Sequence, residues 1–307
     1  LGDDTRILRG ETTMAEFIAR ELEREGWLGG NVGIERYSYR PNPVVSDLLS
    51  ASLTEKGCQV KDCSHILREV RSIKSALELS YVRKAAAIGD AGMRAALATI
   101  GAGVTELDVY VEIVSAMIKA GGEDPAKTVS CASGLRTLCT DAQTTHRKIV
   151  PGDIVNVDLC GCYQRYHTNY ARTFSVGEPL REVAERMESA AGAFDVLKGV
   201  IQPGIRVDEM TAAVKNYLVE AGIWDDRWWV GGYEMGIAFA PDWVGPFVYD
   251  PDVEAGERRF ESGTVVNIEC DFFLPKMAGL SLIIDTLIFD DDSASLAHSV
   301  PQSLLVV

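Results

Sequence analysis

Three acidic residues lie inside apolar segments where a free carboxylate is costly. Asp158 lies in the segment IVNVDL, Glu269 in VVNIEC and Asp285 in LIIDTLI. Strand alternation would place Asp158 on the same face as Asn156, and Glu269 on the same face as Asp271. An isolated ionised carboxylate needs a metal ion, a cationic group, hydrogen-bond donors or a bound proton in such surroundings. The alternative is that each acid simply faces solvent from a half-exposed sheet.

The segments that carry Asp158 and Glu269 are copies of one another. The sequence of Gly152–Asp158 (GDIVNVD) matches that of Gly263–Glu269 (GTVVNIE), and Asn156 corresponds to Asn267. The helix-like segment from Gly103 to Gly121 likewise matches the segment from Gly204 to Gly222. A unit of about a hundred residues seen twice predicts two similar α/β halves, because a solenoid needs at least three units. Two such halves would bring the duplicated acids to one central cleft.

Aromatic and imidazole groups add weaker candidates. Four tryptophans surround the glycine-rich segment Gly231–Gly236, and they either pack in a core or line a ligand site: Trp224, Trp228, Trp229 and Trp243. The four histidines are scattered, which is typical of structural residues: His65, His146, His167 and His298. The sequence contains no phosphate loop, dinucleotide fingerprint or nucleophile elbow.

The elements that must position these residues fall into two parts. The pattern over residues 1–72 predicts a small α/β domain, and residues 73–307 form a second part that contains the repeat and the three acids. In the first part the pattern favours helices over Thr13–Glu25 and Val44–Leu53 and strands over Asn31–Arg36 and Cys58–Asp62. A long helix should begin at Ser75, because Ser75 and Glu78 have the spacing of a capping box.

Composition and charge narrow the classes of partner. The chain has 307 residues, of which 47% are hydrophobic, and 30 basic against 45 acidic residues give a net charge of −15. This balance opposes nucleic acid or an anionic membrane as partner and favours a zwitterionic or cationic small molecule. The seven cysteines follow no disulfide or zinc-finger spacing, so we expect reduced thiols and a cytoplasmic protein. The chain begins at Leu1 without Met, and we expect its natural N-terminus to be missing.

Taken together, these motifs resemble the pita-bread (M24) hydrolases: creatinase, prolidase, methionine aminopeptidase and the ectoine hydrolase branch. The resemblance covers residues 64–307 and rests on four segments in the family's order: Arg71–Glu78, Pro151–Asp158, Ala171–Phe174 and Gly263–Glu269. It implies an α+β pita-bread fold of two pseudo-symmetric α/β halves, preceded by a partial N-terminal domain of the creatinase/prolidase type. In the family that domain helps to close a partner's site, which implies a homodimer.

The resemblance also implies a set of site residues. Metal-dependent members use two Asp, one His and two Glu. Asp158 matches the first Asp, Glu269 the first Glu and Asp285 the last Glu, whereas Asn169 replaces the second Asp and Tyr233 the His. A neutral amide and a phenol are poor ligands for a divalent ion. We therefore expect no cofactor, although Asp158, Glu269 and Asp285 could together hold a single Mn, Fe or Zn ion.

The segment GYEMGIAFAPDW, which ends at Trp243, is most similar to the ectoine hydrolase branch. The resulting expectation is a metal-independent hydrolase of a C–N bond in a small non-peptide amidine or amide. One of Asp158 and Glu269 would hold the substrate cation while the other activates water or attacks directly. Tyr233 would donate a proton or orient the leaving nitrogen. The expected catalytic residues are Asp158, Glu269, Asp285 and Tyr233. The expected substrate-binding residues are Asp141, His167, Asn169, Arg172 and Trp243.

Other functions remain open at this stage. One is a metal-dependent Xaa-Pro dipeptidase or aminopeptidase with an altered site, in which metal ions activate a bridging water. Another is a non-catalytic binding protein on the same fold. A carbon–sulfur or carbon–oxygen lyase is a further alternative, because fold alone does not fix chemistry.

Overall fold

A computed structural model describes residues 13–37, 41–243, 245 and 247–307. The chain divides into a smaller unit, Leu1–Val70, and a larger unit, Arg71–Val307. The sequence-based boundary at residue 72 lies close to this division, and the assignment of the first part as a creatinase/prolidase-type domain stays a prediction. The expectation about Leu1 lies outside the described residues. No helix among the described residues has both the length and the apolar character needed to cross a membrane.

The smaller unit is a two-stranded parallel sheet with helices. Its elements are α1 (Met14–Arg24), β1 (Asn31–Ile34), α2 (Pro43–Glu55) and β2 (Gln59–Asp62), and α3 (Ser64–Ser72) begins within it. The predicted helices and strands of this part are present, with ends that differ by a few residues. Thr13 caps α1 by accepting a hydrogen bond from the Glu16 N–H. Ala19, Leu53 and Cys58 form the buried centre.

The larger unit begins with α4 (Ala76–Thr99), which Ser75 caps as the sequence predicts. The first half of this unit continues with α5 (Glu106–Lys119), β3 (Ser130–Ser133), β4 (Ile154–Tyr163) and β5 (Tyr166–Ser175). Gly161 lets α4 lie directly on β4, because a Cβ at this position would be 1.9 Å from the Ala85 carbonyl oxygen.

The second half contains two helices and the remaining strands. They are α6 (Arg181–Val200), β6 (Ile205–Arg206), α7 (Val207–Glu220), β7 (Arg227–Tyr233), β8 (Val248–Tyr249), β9 (Arg259–Phe260), β10 (Val265–Leu274), β11 (Gly279–Ser281), β12 (Ile284–Phe289), β13 (Ala294–Leu296) and β14 (Leu305–Val306). Short 3₁₀ turns span Gly134–Leu138, Trp224–Asp226 and Pro275–Met277.

The repeat seen in the sequence is a repeat of structure. The bounds of α5 recur in α7 at an offset of 101 residues, and those of β4 recur in β10 at an offset of 111. The main sheet has the order β3-β4-β5-β12-β10-β7-β8. Buried side chains of α4 and α5 form one core with β3, β4 and β5, and those of α6 and α7 form another with β10 and β12. The prediction of two similar α/β halves is confirmed.

The two halves meet along β5 and β12, and the pairing there fixes which side chains share a face. Asp158 pairs with Ala171, Ala171 with Ile284, and Ile284 with Glu269. Directly paired residues point to the same side of a sheet. Asp158, Ala171, Ile284 and Glu269 therefore form one row across adjacent strands, while Asp285, paired with Ile268, points to the opposite face.

Candidate functional site

A cavity of about 270 Å³ opens over this row of residues. Four carboxylates, one lysine, three tryptophans, one tyrosine, one threonine and two aliphatic side chains line it: Lys127, Thr140, Asp141, Asp158, Trp228, Trp229, Tyr233, Trp243, Glu269, Asp271, Leu282 and Ile284. The cavity thus combines charges of both signs with a large aromatic surface. Such a mixture suits a small molecule that has both an ionic end and an apolar ring.

Asp158 is engaged on both oxygens. Its Oδ1 accepts a hydrogen bond of 2.9 Å from Asn169, and its Oδ2 is ion-paired with the Nζ of Lys127. Lys127 Nζ also lies 3.6 Å from Asp141 at the rim and 5.1 Å from the centre of the Trp243 ring. Burial alone lowers the pKa of Lys127, but the attraction of Asp158 and the other nearby anionic groups outweighs it, and the pKa is raised. Lys127 is therefore a permanent positive charge.

Two asparagines connect the acids of the two halves beneath the cavity. Asn169 Oδ1 accepts hydrogen bonds from the Tyr233 hydroxyl (3.1 Å) and from Asn267 Nδ2 (3.0 Å). Asn267 Nδ2 also donates to Glu269 (2.8 Å), and its Oδ1 accepts from the Tyr233 N–H (2.7 Å). One polar network therefore runs from Asp158 through Asn169 to Glu269 and fixes their relative positions.

Burial shifts the protonation of this network. It raises the pKa of Glu269 to about 7, opposed by the Tyr233 hydrogen bond and reinforced by the Asp158 charge. The pKa of Asp271 is raised well above its usual range by burial and by Glu269, and that of Tyr233 is raised by burial and the same carboxylate. At neutral pH the site therefore contains a carboxyl group poised to exchange a proton and a phenol that stays protonated.

The structure brings most of the sequence-predicted site residues together. Asp158, Glu269, Tyr233, Asp141 and Trp243 all line the cavity. Asn169 lies fully buried below it and contacts both Asp158 and Tyr233. The roles assigned to these residues stay predictions.

Asp285 and Arg172 lie elsewhere, which corrects their predicted place in the cleft. Both side chains are fully buried and form an ion pair of 2.7 Å with each other. Arg172 also donates to backbone carbonyls, including those of Val300 and Ile284, and Gln302 donates to Asp285. The reason is the pleat of the sheet, because Asp285 and Arg172 alternate with the cleft-facing residues of their strands.

His167 is also outside the cavity. Its fully buried ring accepts a hydrogen bond of 2.9 Å at Nε2 from the Ala126 N–H. Burial, helped by the charge of Arg165, lowers the pKa of His167 to about 4, so the imidazole is neutral at physiological pH. A neutral, enclosed ring cannot bind a substrate carboxylate by charge. It instead holds the loop that carries Lys127.

Lys127 and Asp271 are the lining residues with charge that the sequence-based set omits. Strand alternation places Asp271 on the same face as Glu269, so that periodicity could have included it. Lys127 belongs to the loop sequence EDPAKT, which has no periodic pattern and offers no signal of this kind.

The donor set does not fit a divalent metal ion. Among the described residues, no group of three or more His, Cys, Asp or Glu side chains is arranged to hold one. The row between Asp158 and Glu269 contains Ala171 and Ile284, which are hydrocarbon side chains without a donor atom. Asp158 is already paired with an ammonium, and repulsion between that group and a cation would oppose binding.

The chain belongs to the Metallopeptidase family M24, whose profile matches residues 80–291. This result confirms the family and the pita-bread fold that the sequence motifs indicated. The narrower similarity to the creatinase and ectoine hydrolase branch stays a prediction. The family is described as metallopeptidases, whereas the cleft of this chain lacks a matching donor set.

Individual relatives are Xaa-Pro dipeptidases. The chain is 28% identical over 241 residues to the Xaa-Pro dipeptidase of Pyrococcus horikoshii, an alignment that covers 78% of this chain and 67% of the relative. It is 26% identical over 247 residues to the Xaa-Pro dipeptidase of Pyrococcus furiosus, covering 80% and 69%. The solved Xaa-Pro dipeptidase of Bacillus anthracis has the same fold, with a TM-score of 0.79 at 23% identity over 96% of this chain and 79% of that one.

These relatives overturn the expected reaction. A hydrolase of small non-peptide amidines or amides is the wrong prediction, because the similar curated proteins are dipeptidases for Xaa-Pro substrates. The alternative reading of the sequence, a peptidase for Xaa-Pro bonds, agrees better with them.

Proposed function

We propose that this chain is an M24 hydrolase that cleaves the bond before proline in Xaa-Pro dipeptides. The observation that carries the proposal is one small cavity in which buried carboxyl groups, an ammonium and tryptophan rings face a common space. A dipeptide has a free ammonium, which suits the carboxylates, and carbonyl and carboxylate oxygens, which suit the ammonium. The apolar ring of proline suits an aromatic wall. The volume of about 270 Å³ favours a dipeptide over a long chain.

Glu269 is the residue best placed to act as general base. A base works most efficiently when its pKa lies near the working pH, and burial raises the pKa of Glu269 to about 7. Its carboxylate would take a proton from a water molecule that attacks the scissile carbonyl carbon. Tyr233, hydrogen-bonded to Asn169 and kept protonated, would supply a proton to the leaving nitrogen. No step of this scheme passes through a metal ion.

The proposal is tested by measuring the release of free proline from Ala-Pro and Leu-Pro, with Ala-Ala as the control substrate. Each assay is run on chelator-dialysed protein and again with added Mn²⁺. We expect proline release from both Xaa-Pro dipeptides and no cleavage of Ala-Ala. Glu269→Gln should reduce turnover by roughly 10²–10⁴-fold, the usual contribution of general base catalysis. A wild-type chain that releases no proline under either condition contradicts the proposal.

A second candidate is a binding protein that holds the same dipeptide without cleaving it. The ion pair between Lys127 and Asp158 favours it, because this contact satisfies an acid that a metallopeptidase would use otherwise. Calorimetric binding of Ala-Pro without any release of proline would distinguish this function from the first.

We further propose that the protein is a cytoplasmic homodimer. All seven cysteines are free, as is usual in a reducing compartment. The dimer follows from the resemblance of residues 1–72 to a domain that helps to close a partner's site. Light scattering after size exclusion should give twice the chain mass of 33.4 kDa, and a single-chain mass would reject the dimer.

A further inference from the structure

We propose that Lys127 is the resident cation of this site, and that its ammonium group stands beside Asp158 in place of a metal ion and binds the oxygen of the scissile carbonyl. The inference rests on the proposed function and extends it to a residue that the sequence motifs do not indicate. Lys127 would be a catalytic residue in the strict sense, because its ammonium would touch the reacting group.

The position of Lys127 is the first support. Its Nζ is ion-paired with Asp158, and the same side chain lines the cavity together with Glu269 and Tyr233. Lys127 is 14% exposed, so it is largely shielded from water yet reachable from the cavity. An ammonium has three N–H donors. The contact with Asp158 uses one, and Asp141 at 3.6 Å is too distant for a hydrogen bond, which leaves donor capacity for a ligand.

The way the lysine loop is held is the second support. Ala126, the residue before Lys127, donates its N–H to the buried ring of His167. The Glu123 carboxylate accepts hydrogen bonds from the backbone N–H groups of Gln164 and Arg165 at the turn between β4 and β5. The Arg165 guanidinium donates a hydrogen bond of 2.7 Å to the Asp124 carbonyl oxygen. The loop is therefore fixed at Glu123, Asp124 and Ala126, in the residues directly before Lys127. A charge held in place before the reaction is the arrangement that stabilises a developing oxyanion.

The chemistry of the row between the halves is the third support. A metal would need donors between Asp158 and Glu269, and Ala171 and Ile284 offer none. Asp158 nevertheless stays buried, with only 4% of its side chain exposed. A buried carboxylate requires a compensating charge, and Lys127 supplies it from within the chain.

The reaction then balances without another component. Water adds to the carbonyl carbon as Glu269 accepts its proton, and the π electrons move to the carbonyl oxygen, which accepts hydrogen bonds from Lys127. The C–N bond breaks when the oxygen returns its electron pair. The proline nitrogen keeps the bonding pair and takes a proton from Tyr233, and the proton held by Glu269 restores the phenol.

The test compares Lys127→Met and Lys127→Arg with Lys148→Met, a matched change at an exposed lysine. Thermal unfolding checks that each variant is folded. Turnover of Ala-Pro is measured with and without methylammonium, calorimetry measures Ala-Pro binding, and Mn²⁺ is titrated into each protein. We expect Lys127→Met to lower kcat by roughly 10²–10³-fold, as for loss of an oxyanion donor. Methylammonium should restore part of this rate, and Lys127→Arg should retain more activity than Lys127→Met.

Several outcomes would overturn the inference. Full kcat in folded Lys127→Met would make the lysine a purely structural counter-ion. Saturable binding of Mn²⁺ by the wild type would place a metal where the inference places an ammonium. If the wild type binds Ala-Pro without cleaving it, the proposed function fails, and an unchanged affinity in Lys127→Met would then reject the lysine contact as well. If the wild type neither binds nor cleaves Ala-Pro, the proposed function fails and the inference that extends it fails too.

Discussion

A carboxyl group can act in proton transfer when its surroundings bring its pKa near the working pH, and Glu269 is such a group. Asp158 and Glu269 occupy matching positions of the two halves, yet their partners differ. Asp158 has an ammonium partner, whereas Glu269 has neutral partners in Asn267 and Tyr233. Burial therefore raises the pKa of Glu269 to about 7. Equivalent positions in a repeat thus acquire different chemistry from their neighbours.

The pH dependence of activity should show this titration. Glu269 must be ionised to act as a base, so kcat/KM for Ala-Pro should rise with pH and reach half its maximum near pH 7. The measurement is a pH series from 5 to 9 on wild type and on Glu269→Gln. The variant should be slow at every pH, while Glu254→Gln, at an exposed acid, should keep the wild-type profile. A profile that is flat from pH 5 to 9 would contradict the assignment of the base.

The buried pair of Asp285 and Arg172 should matter for stability rather than chemistry. Removing one partner leaves an uncompensated buried charge, which costs about 3–5 kcal/mol. Asp285→Ala should lower the free energy of unfolding by this amount, measured by chemical denaturation. Glu185→Ala breaks the exposed pair with Arg181 and should cost far less, because solvent screens this pair. Equal costs for the two changes would show that Asp285 is not held as the structure indicates.

At the scale of elements, the sequence predicts much of the positioning framework. The duplicated segments predict the matching pairs α5 and α7, and β4 and β10, because the same amphipathic periodicity and the same bounding glycines occur in both copies. The capping box of Ser75 and Glu78 predicts the start of α4. Local patterns of this kind are encoded in neighbouring residues, so they can be read without knowledge of the fold.

The register of β12 could not be predicted in the same way. The segment LIIDTLI is apolar on both sides of Asp285, so it has no alternation that would reveal which residue faces the cleft. Only the pairing of Ile284 with Glu269 shows that Asp285 lies on the opposite face. The position of Lys127 could not be predicted either, because it lies in a loop. Tertiary contacts place a loop residue, such as the hydrogen bond between Ala126 and His167.

That loop contact can be tested directly. His167→Leu removes the acceptor of the Ala126 N–H, and leaving this partly buried donor unpaired costs up to about 3 kcal/mol. We expect the free energy of unfolding to fall by this amount and kcat to fall with it, because the loop no longer fixes Lys127. His146→Leu, at an exposed histidine, is the control and should change neither quantity. If kcat in His167→Leu equals that of the wild type, the loop does not depend on this hydrogen bond.

At the scale of the whole molecule, the duplicated architecture places one strand of each half, β5 and β12, side by side. The row of Asp158, Ala171, Ile284 and Glu269 that crosses them is here called the seam. The seam holds Ala171 and Ile284 between the two acids, and Lys127 reaches it from a loop of the first half. The pita-bread fold therefore supplies a frame, and the residues along the seam decide whether the frame can hold a metal. Fold and family alone do not determine that choice.

Substitutions along the seam and next to it should convert it into a metal-binding site. A chain with Lys127→Ser, Asn169→Asp, Tyr233→His and Ile284→Glu would replace an ammonium, an amide, a phenol and a hydrocarbon by groups that suit a divalent ion. We expect this variant to bind Mn²⁺ in calorimetry and to gain thermal stability when the ion is added, because a ligand that binds only the folded state stabilises it.

The matched control keeps Lys127 and carries the other three changes. It should bind the ion more weakly, since the ammonium still repels it. Equal affinity with and without Lys127 would show that the lysine does not occupy the cation position, and no binding by a folded four-fold variant would show that the seam is not where the family frame holds its metal.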